Sequence, residues 1–314
     1  MKVGHELGSG YARRSRARYL LVMVLATVMG LGAALPVFAQ EGGSTEGSSP
    51  GNEEGGTVQP QIVGGEPVPT GELPFMVSIQ YQRGGEARHF CGGSLIDADS
   101  VLTAAHCADV IDRVNTRETI AFKNVRLVIG RTKLNSQQGE ERRISSFSNI
   151  RIHPLYNGAT SSKYDAAVIN FDDPVNLRPI TLVGKGKNGL ERPGRRAVVA
   201  GWGNTVQQDT DFSQPDRFPN RMRRAYPPIV SDAEGEEVYG RGYVSPLMVS
   251  AGKRGIDTCQ GDSGGPMWGV ADAGRRQIGI TSFGAGCGAR GFPGVYAEVN
   301  APSIANFIKA AASS

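Results

Sequence analysis

The stretch Asp257-Thr-Cys-Gln-Gly-Asp-Ser-Gly-Gly-Pro266 decides how the rest of the chain is read. It sets Ser263 among glycines, in a backbone able to expose a hydroxyl, with Asp262 beside it and Asp257 a few residues earlier. A serine hydroxyl is a poor nucleophile until a base removes its proton. The stretch therefore needs a histidine and a carboxylate able to reach Ser263. Two other segments offer them: Leu102-Thr-Ala-Ala-His-Cys107 and Tyr164-Asp-Ala-Ala-Val168. His106 adjoins Cys107, which can pin it if disulfide-bonded. Asp165 precedes an apolar run, where an unpaired buried carboxylate is costly and a histidine N–H is a suitable donor. The chain order His, Asp, Ser is one of those in which this catalytic geometry occurs. A lone serine in a glycine-rich loop is ordinarily a turn residue, and it is the three segments together that lift Ser263 above that reading.

Outward from these segments, the chain from Ile62 onward is made of short alternating runs separated by turn residues. Phe75–Gln80, Ser94–Ile96, Val125–Ile129, Ala166–Phe171, Ala197–Ala200, Gln277–Ser282 and Gly294–Val299 read as β-strands, so the fold class is all-β. Only the tail reads as helical: Ile304, Phe307, Ile308 and Ala311 share a face after Pro302. Asn204–Tyr239 is polar and weakly patterned and reads as including an extended surface loop. The frequent glycine, 43 of 314 residues, suits a turn-rich β protein. The net charge of +4 is too modest to argue for nucleic acid, and Arg142–Arg143 and Arg221–Arg224 read as solvated clusters.

The first part of the chain reads differently. Residues 1–39 carry a positive n-region at Arg13, Arg14, Arg16 and Arg18, an uncharged apolar run from Tyr19 to Leu35, and small residues at Val37-Phe38-Ala39. That is the pattern of an export signal cleaved after Ala39, with an uncleaved membrane anchor as the alternative. Export implies an oxidising compartment, and the 4 cysteines make an even set whose three possible pairings spacing alone does not separate. Residues 40–61 are dominated by Gly, Ser, Glu, Thr and Pro with neither an aromatic nor a cationic residue, a composition that favours a disordered linker or removable pro-segment.

The three segments, with Ile62-Val-Gly-Gly65, Cys91-Gly-Gly-Ser94 and Gly201-Trp-Gly203, resemble the trypsin/chymotrypsin family of serine proteases, a worked template of catalytic mechanism. The resemblance implies two packed six-stranded antiparallel β-barrels with a C-terminal helix. Residues 62–184 would form the first barrel, carrying His106 and Asp165, and 185–314 the second, carrying Ser263. It implies Ser263 as nucleophile, His106 as general base, Asp165 as the residue that orients it, and the N–H groups of Gly261 and Ser263 as the oxyanion hole.

The same resemblance places Asp257 at the floor of a pocket for a Lys or Arg side chain, with Gly284 and Gly294 keeping it open. Ser282, Phe283 and Gly284 would pair with an extended substrate backbone. Phe283 departs from the tryptophan common there. Cleavage before Ile62 would free an α-amino group to pair with Asp262. Since residues 40–61 hold no Lys or Arg and Gln61 precedes the cut, a Lys/Arg-selective enzyme could not release its own Ile62. A separate activating protease is implied. The implied disulfides are Cys91–Cys107 and Cys259–Cys287. A third bridge common among relatives is absent, since Ser250-Ala-Gly252 stands where its cysteine would be.

Arg131 stands where some relatives place a calcium-binding glutamate, with Glu141 matching the other, so no metal is expected in that loop and no cofactor at all. The implied partners are polypeptide substrates and protein protease inhibitors, without nucleic acid and without a membrane once the signal is removed. The chain is read as a secreted monomer. The readings set against this are a serine endopeptidase of different selectivity and a non-catalytic homologue that binds a partner. His89 and His153 read as surface or packing residues.

Overall fold

The structure is a computed structural model that describes residues 62–312, apart from 115, 117–118, 159–160 and 187–188. The expected signal and pro-segment lie outside the described residues.

Two antiparallel sheets carry the site. The first contains seven strands in the spatial order Glu140–Arg143, Val125–Ile129, Met76–Arg83, Glu86–Leu95, Ser100–Thr103, Ala167–Asn170 and Ile150–Ile152. Val125–Ile129 shows why such runs pair. Four of its five residues are buried, and β-branched side chains suit a pleated surface packed on a core. The second sheet runs Glu66–Pro67, Arg223–Ala225, Val198–Gly201, Pro266–Ala271, Gly274–Phe283, Gly294–Glu298 and Met248–Ala251, with Thr181–Leu182 added parallel to Gly274–Phe283. The short pieces Glu66–Pro67 and Thr181–Leu182 come from early in the chain yet pair in this second sheet. This architecture is the two-barrel trypsin-like fold; the two fragments raise the second sheet from six strands to eight, and the first sheet counts seven because Glu140–Arg143 and Ile150–Ile152 pair at its edges.

The sheets share a core. Phe75 meets Trp268 edge-on at 5.5 Å between ring centroids, and both belong to a buried cluster with Leu102, Val168, Trp202 and Ile304. The final helix, Pro302–Ala312 (α3 below), buries Ile304, Ile308 and Ala311. Asn170 in the first sheet donates to the Ala311 carbonyl at 2.9 Å, so the final helix is strapped to the first sheet.

Two further helices depart from the sequence reading. Ala105–Asp109 (α1) follows directly on the strand Ser100–Thr103 and is too short to show a period. Asp232–Tyr239 (α2) occupies part of the region read as a loop. Gly235 and a scarcity of apolar residues hide it, but its start is written in the sequence. Ser231 accepts from the Glu234 N–H at 3.2 Å, and Ser-x-x-Glu is the pattern of a capping box. The preceding residues, 204–217, are held by buried amides. Asn204 accepts from the N–H groups of Val206 and Arg217, and Gln208 exchanges hydrogen bonds with Gln214.

Candidate active site

Sheet register brings His106 and Asp165 together. Ala167 faces Thr103 across an antiparallel pair, so stepping outward from that pair sets Asp165 beside the first turn of α1. The Asp165 carboxylate accepts from His106 Nδ1 at 2.8 Å and from the His106 backbone N–H at 2.9 Å. It also accepts from the Ser282 hydroxyl at 2.5 Å. Asp165 is 1% exposed, whereas the His106 side chain keeps 34% of its surface in solvent. Burial pushes the Asp165 carboxyl up, but the hydrogen bonds and charge of His106, with the Ser282 hydroxyl, outweigh it and hold the group below the usual carboxylate value. A buried carboxylate on Nδ1–H leaves Nε2 as the basic nitrogen.

Ser263 is fixed on the neighbouring strand by close backbone approach. The Gly92 N–H donates to the Ser263 carbonyl at 2.7 Å. Gly264, at φ +80°, lies so near Thr103 and Gly92 that any β-carbon would overlap them. The Ser-Gly-Gly and Cys-Gly-Gly motifs are thus two halves of one contact between the sheets. Cys107 Sγ lies 3.6 Å from His106 Nε2 and 3.5 Å from the Ser263 carbonyl oxygen, so both residues border the Cys91–Cys107 disulfide. Among the described residues, the N–H groups of Gly261 and Ser263 donate to no protein acceptor, while their neighbours Asp262 and Gly264 do. Two donors without a protein acceptor, one on each side of Asp262, are available to an incoming anion.

Beside Ser263 opens a cavity of about 200 Å³ lined by Asp257, Ser282, Phe283, Gly284, Cys287 and Gly294, among others. Asp257, 1% exposed, lies at its inner end and accepts from the N–H groups of Thr258 at 2.8 Å and Gly288 at 3.1 Å. Burial pushes its pKa up to about 8 despite those donors. At Gly294 a β-carbon would fall 2.5 Å from the Asp257 carboxylate, so a side chain there would close the cavity. Cys259–Cys287 joins the walls. Phe283 forms an outer wall and stacks edge-on against Tyr239 at 5.5 Å.

Asp262 points away from Ser263, into the body of the molecule. It accepts from the Gly203 and Cys259 N–H groups at 2.9 and 3.0 Å, and burial pushes its pKa up to about 7. Among the described residues no cationic side chain pairs with it. Ile62 is fully buried with Val199, Met267 and Tyr296.

Two contacts escaped the sequence reading. His89, read as a surface or packing residue, donates from Nε2 to the Gly261 carbonyl at 2.8 Å, while its Nδ1 accepts from Ser78 at 2.8 Å. The carbonyl can only accept, which fixes that tautomer. Burial lowers the pKa of His89 to about 4, so the ring is neutral. Ser282, read only as a backbone partner of substrate, also binds Asp165 through its side chain. No local pattern announces either contact, because each joins residues more than a hundred positions apart. His153 packs as read, stacked on Tyr164 at 4.8 Å.

The surroundings bear on rigidity and metals. The Tyr243 ring and the Ser250 hydroxyl both lie against Gly235 of α2. The Tyr243 hydroxyl donates to Asp232 at 2.8 Å or the Met248 carbonyl at 3.0 Å, fastening α2 to its neighbouring strand. Arg131, 5% exposed, pairs with Glu141 at 2.9 Å and donates to the Gln138 carbonyl, so a guanidinium occupies the loop considered for calcium. Cys91, His106 and Cys107 cluster closely enough to suggest metal ligands, but the two sulfurs are bonded to each other and offer no thiolate.

The family model described as Trypsin matches residues 62–308. A Saccharopolyspora erythraea protein named Trypsin is 36% identical over 242 residues, covering 76% of this chain and 94% of its own. Trypsin 5G1 of Aedes aegypti is 35% identical over 256 residues, covering 79% and 84% respectively. Trypsin II-P29 of Gallus gallus is 34% identical over 251 residues, covering 78% and 87%. With the fold, the paired His106 and Asp165 and the loop around Ser263, these matches place the chain in the trypsin family of serine endopeptidases.

Proposed function

We propose that this serine endopeptidase cleaves polypeptides after Lys or Arg, and that it is exported as a precursor activated between Gln61 and Ile62. The observation that carries the specificity is Asp257, buried at the inner end of the cavity beside Ser263. A desolvated carboxylate at the end of a narrow slot favours a long cationic side chain by charge pairing and rejects apolar ones, which would leave it unpaired.

In this reading His106 Nε2 takes the Ser263 proton as Oγ attacks the scissile carbonyl. The developing oxyanion is received by the N–H groups of Gly261 and Ser263. Losing one such donor typically costs about 3–4 kcal/mol of transition-state stabilisation. Asp165 stabilises the imidazolium, and His106 returns the proton to the leaving amine. Water, activated by the same histidine, then releases the acyl group. Substrate lies extended along Ser282, Phe283 and Gly284 at the end of the strand Gly274–Phe283. After cleavage the Ile62 α-amino group pairs with Asp262. Breaking such a buried pair typically costs about 3–5 kcal/mol.

Residues 62–184 and 185–314 supply the bulk of the two barrels of this scheme, with Glu66–Pro67 and Thr181–Leu182 crossing into the second, and the enzyme acts on polypeptide substrates as a secreted monomer open to protein inhibitors. Labelling of the matured protein with an organophosphate tests the catalytic assignment. A single adduct on Ser263 with loss of activity is the expected result, and an unlabelled Ser263 in active protein would overturn it.

A further inference from the structure

Among the described residues only Tyr164 and Phe212 combine a side chain with a positive φ. Phe212 lies in an exposed loop, but Tyr164 immediately precedes Asp165, at φ +58°. A bulky residue in the left-handed region is strained, and such strain persists only where its surroundings impose it.

The surroundings of Tyr164 do so. Its ring stacks on His153 at 4.8 Å between centroids, with only 14° between planes. His153 is 4% exposed and is itself fixed. Its Nδ1 accepts from the Leu155 N–H at 3.2 Å, its backbone N–H donates to the Ala166 carbonyl at 3.0 Å, and Phe307 of α3 packs on it at 4.9 Å. The stack has a consequence in the backbone. The Ala166 N–H donates to the Tyr164 carbonyl at 2.8 Å, closing a three-residue turn with Asp165 at its centre. That turn is where the Asp165 carboxylate leaves the chain toward His106.

We propose that Tyr164 is a positioning residue for Asp165. The stack on His153, backed by α3, holds Tyr164 in its left-handed conformation and so keeps the turn closed and the carboxylate aimed at His106. This rests on the reading of Asp165 as the residue that orients the catalytic histidine. It makes the C-terminal helix a brace for the catalytic pair.

The test ranks variants by backbone tolerance, not by size. Tyr164→Gly, Tyr164→Asn and Tyr164→Val are matured and compared for kcat and KM. Gly and Asn adopt positive φ readily, whereas a β-branched residue does not. Gly and Asn are expected to keep kcat within about threefold although the stack is lost, and Val to lose about tenfold or more at unchanged KM. His153→Leu should lower kcat in the parent but not in the Tyr164→Gly background, where there is no strain left to hold. Wild-type kcat in Tyr164→Val, or equal losses in Gly and Val, would overturn the proposal. Ser263→Ala measured alongside separates the two levels: activity surviving that change refutes the triad itself, whereas its abolition leaves the ranking to judge Tyr164.

Discussion

The backbone N–H of Asp257 donates to the carbonyl of Val63 at 3.2 Å. The Asp257 side of the cavity beside Ser263 therefore hangs on the residue next to Ile62. Gly64 reinforces the link, lying so close to the Gly255 carbonyl that no side chain would fit. Anything that shifts residues 62–64 moves Asp257 with them.

If the Gln61–Ile62 bond is cut as proposed, this coupling gives it its leverage, and under the proposed Lys/Arg selectivity the lack of Lys or Arg in residues 40–61 rules out self-cleavage there. The purified precursor, free of other proteases, should stay uncut, and N-terminal mass analysis over time should detect no Ile62 terminus. An Ile62 terminus appearing at a rate that rises with precursor concentration would refute separate activation.

The empty pocket should also titrate. Burial raises Asp257 to about 8, so at pH 7 the carboxyl is mostly protonated until a cation arrives. Binding an aryl amidinium must then release a proton. Its affinity should rise about tenfold per pH unit from 5 to 7 and level off above 8. Calorimetry in two buffers of different ionisation enthalpy reads this release, and pH-independent affinity would contradict the burial of Asp257.

His89 holds the Gly261 carbonyl, and that peptide lies within the loop offering the two free N–H donors. His89→Ala should lower kcat by about 10- to 100-fold with little change in KM, since an oxyanion donor acts chiefly in the transition state. A change confined to KM would instead place His89 in substrate binding.

Stability should fall as pH rises through neutrality. Burial raises Asp257 and Glu298 to about 8, and Asp262 and Glu191 to about 7, so each holds its proton more tightly folded than unfolded. Stability from such groups is fully present below their unfolded values and is lost as pH climbs through the folded ones. His89 acts in the opposite direction. Lowered to about 4 from 6.5, it adds stability as pH rises only until 6.5 is passed. Between pH 6.5 and 8 the four carboxyls dominate, and the urea midpoint of a Ser263→Ala precursor should drop. Glu298→Gln should flatten that drop, and a rising midpoint would refute it.

Much of this was legible in sequence because it is local. The strand cores Phe75–Gln80 and Val125–Ile129 announce themselves by buried β-branched runs, and Asp257 to Pro266 carries its own chemistry. Strands such as Glu140–Arg143 and the first half of Glu86–Leu95 stayed hidden because polar, exposed residues break the alternation. The helix α2 stayed hidden behind Gly235, despite its cap at Ser231. Contacts made by His89 and Ser282 depend on register between distant segments, which no local pattern encodes. The strain at Tyr164 is equally silent, since nothing in Lys163-Tyr164-Asp165 signals a positive φ.

The most direct test of the account is kcat/KM of the Ile62-started enzyme on four peptides differing only in the residue before the cut: Arg, Lys, Phe and Gln. Arg and Lys should lead Phe and Gln by about 10³-fold or more, the margin expected when a buried polar group would otherwise be left unpaired. Preference for Phe, or equal rates on all four, would contradict it.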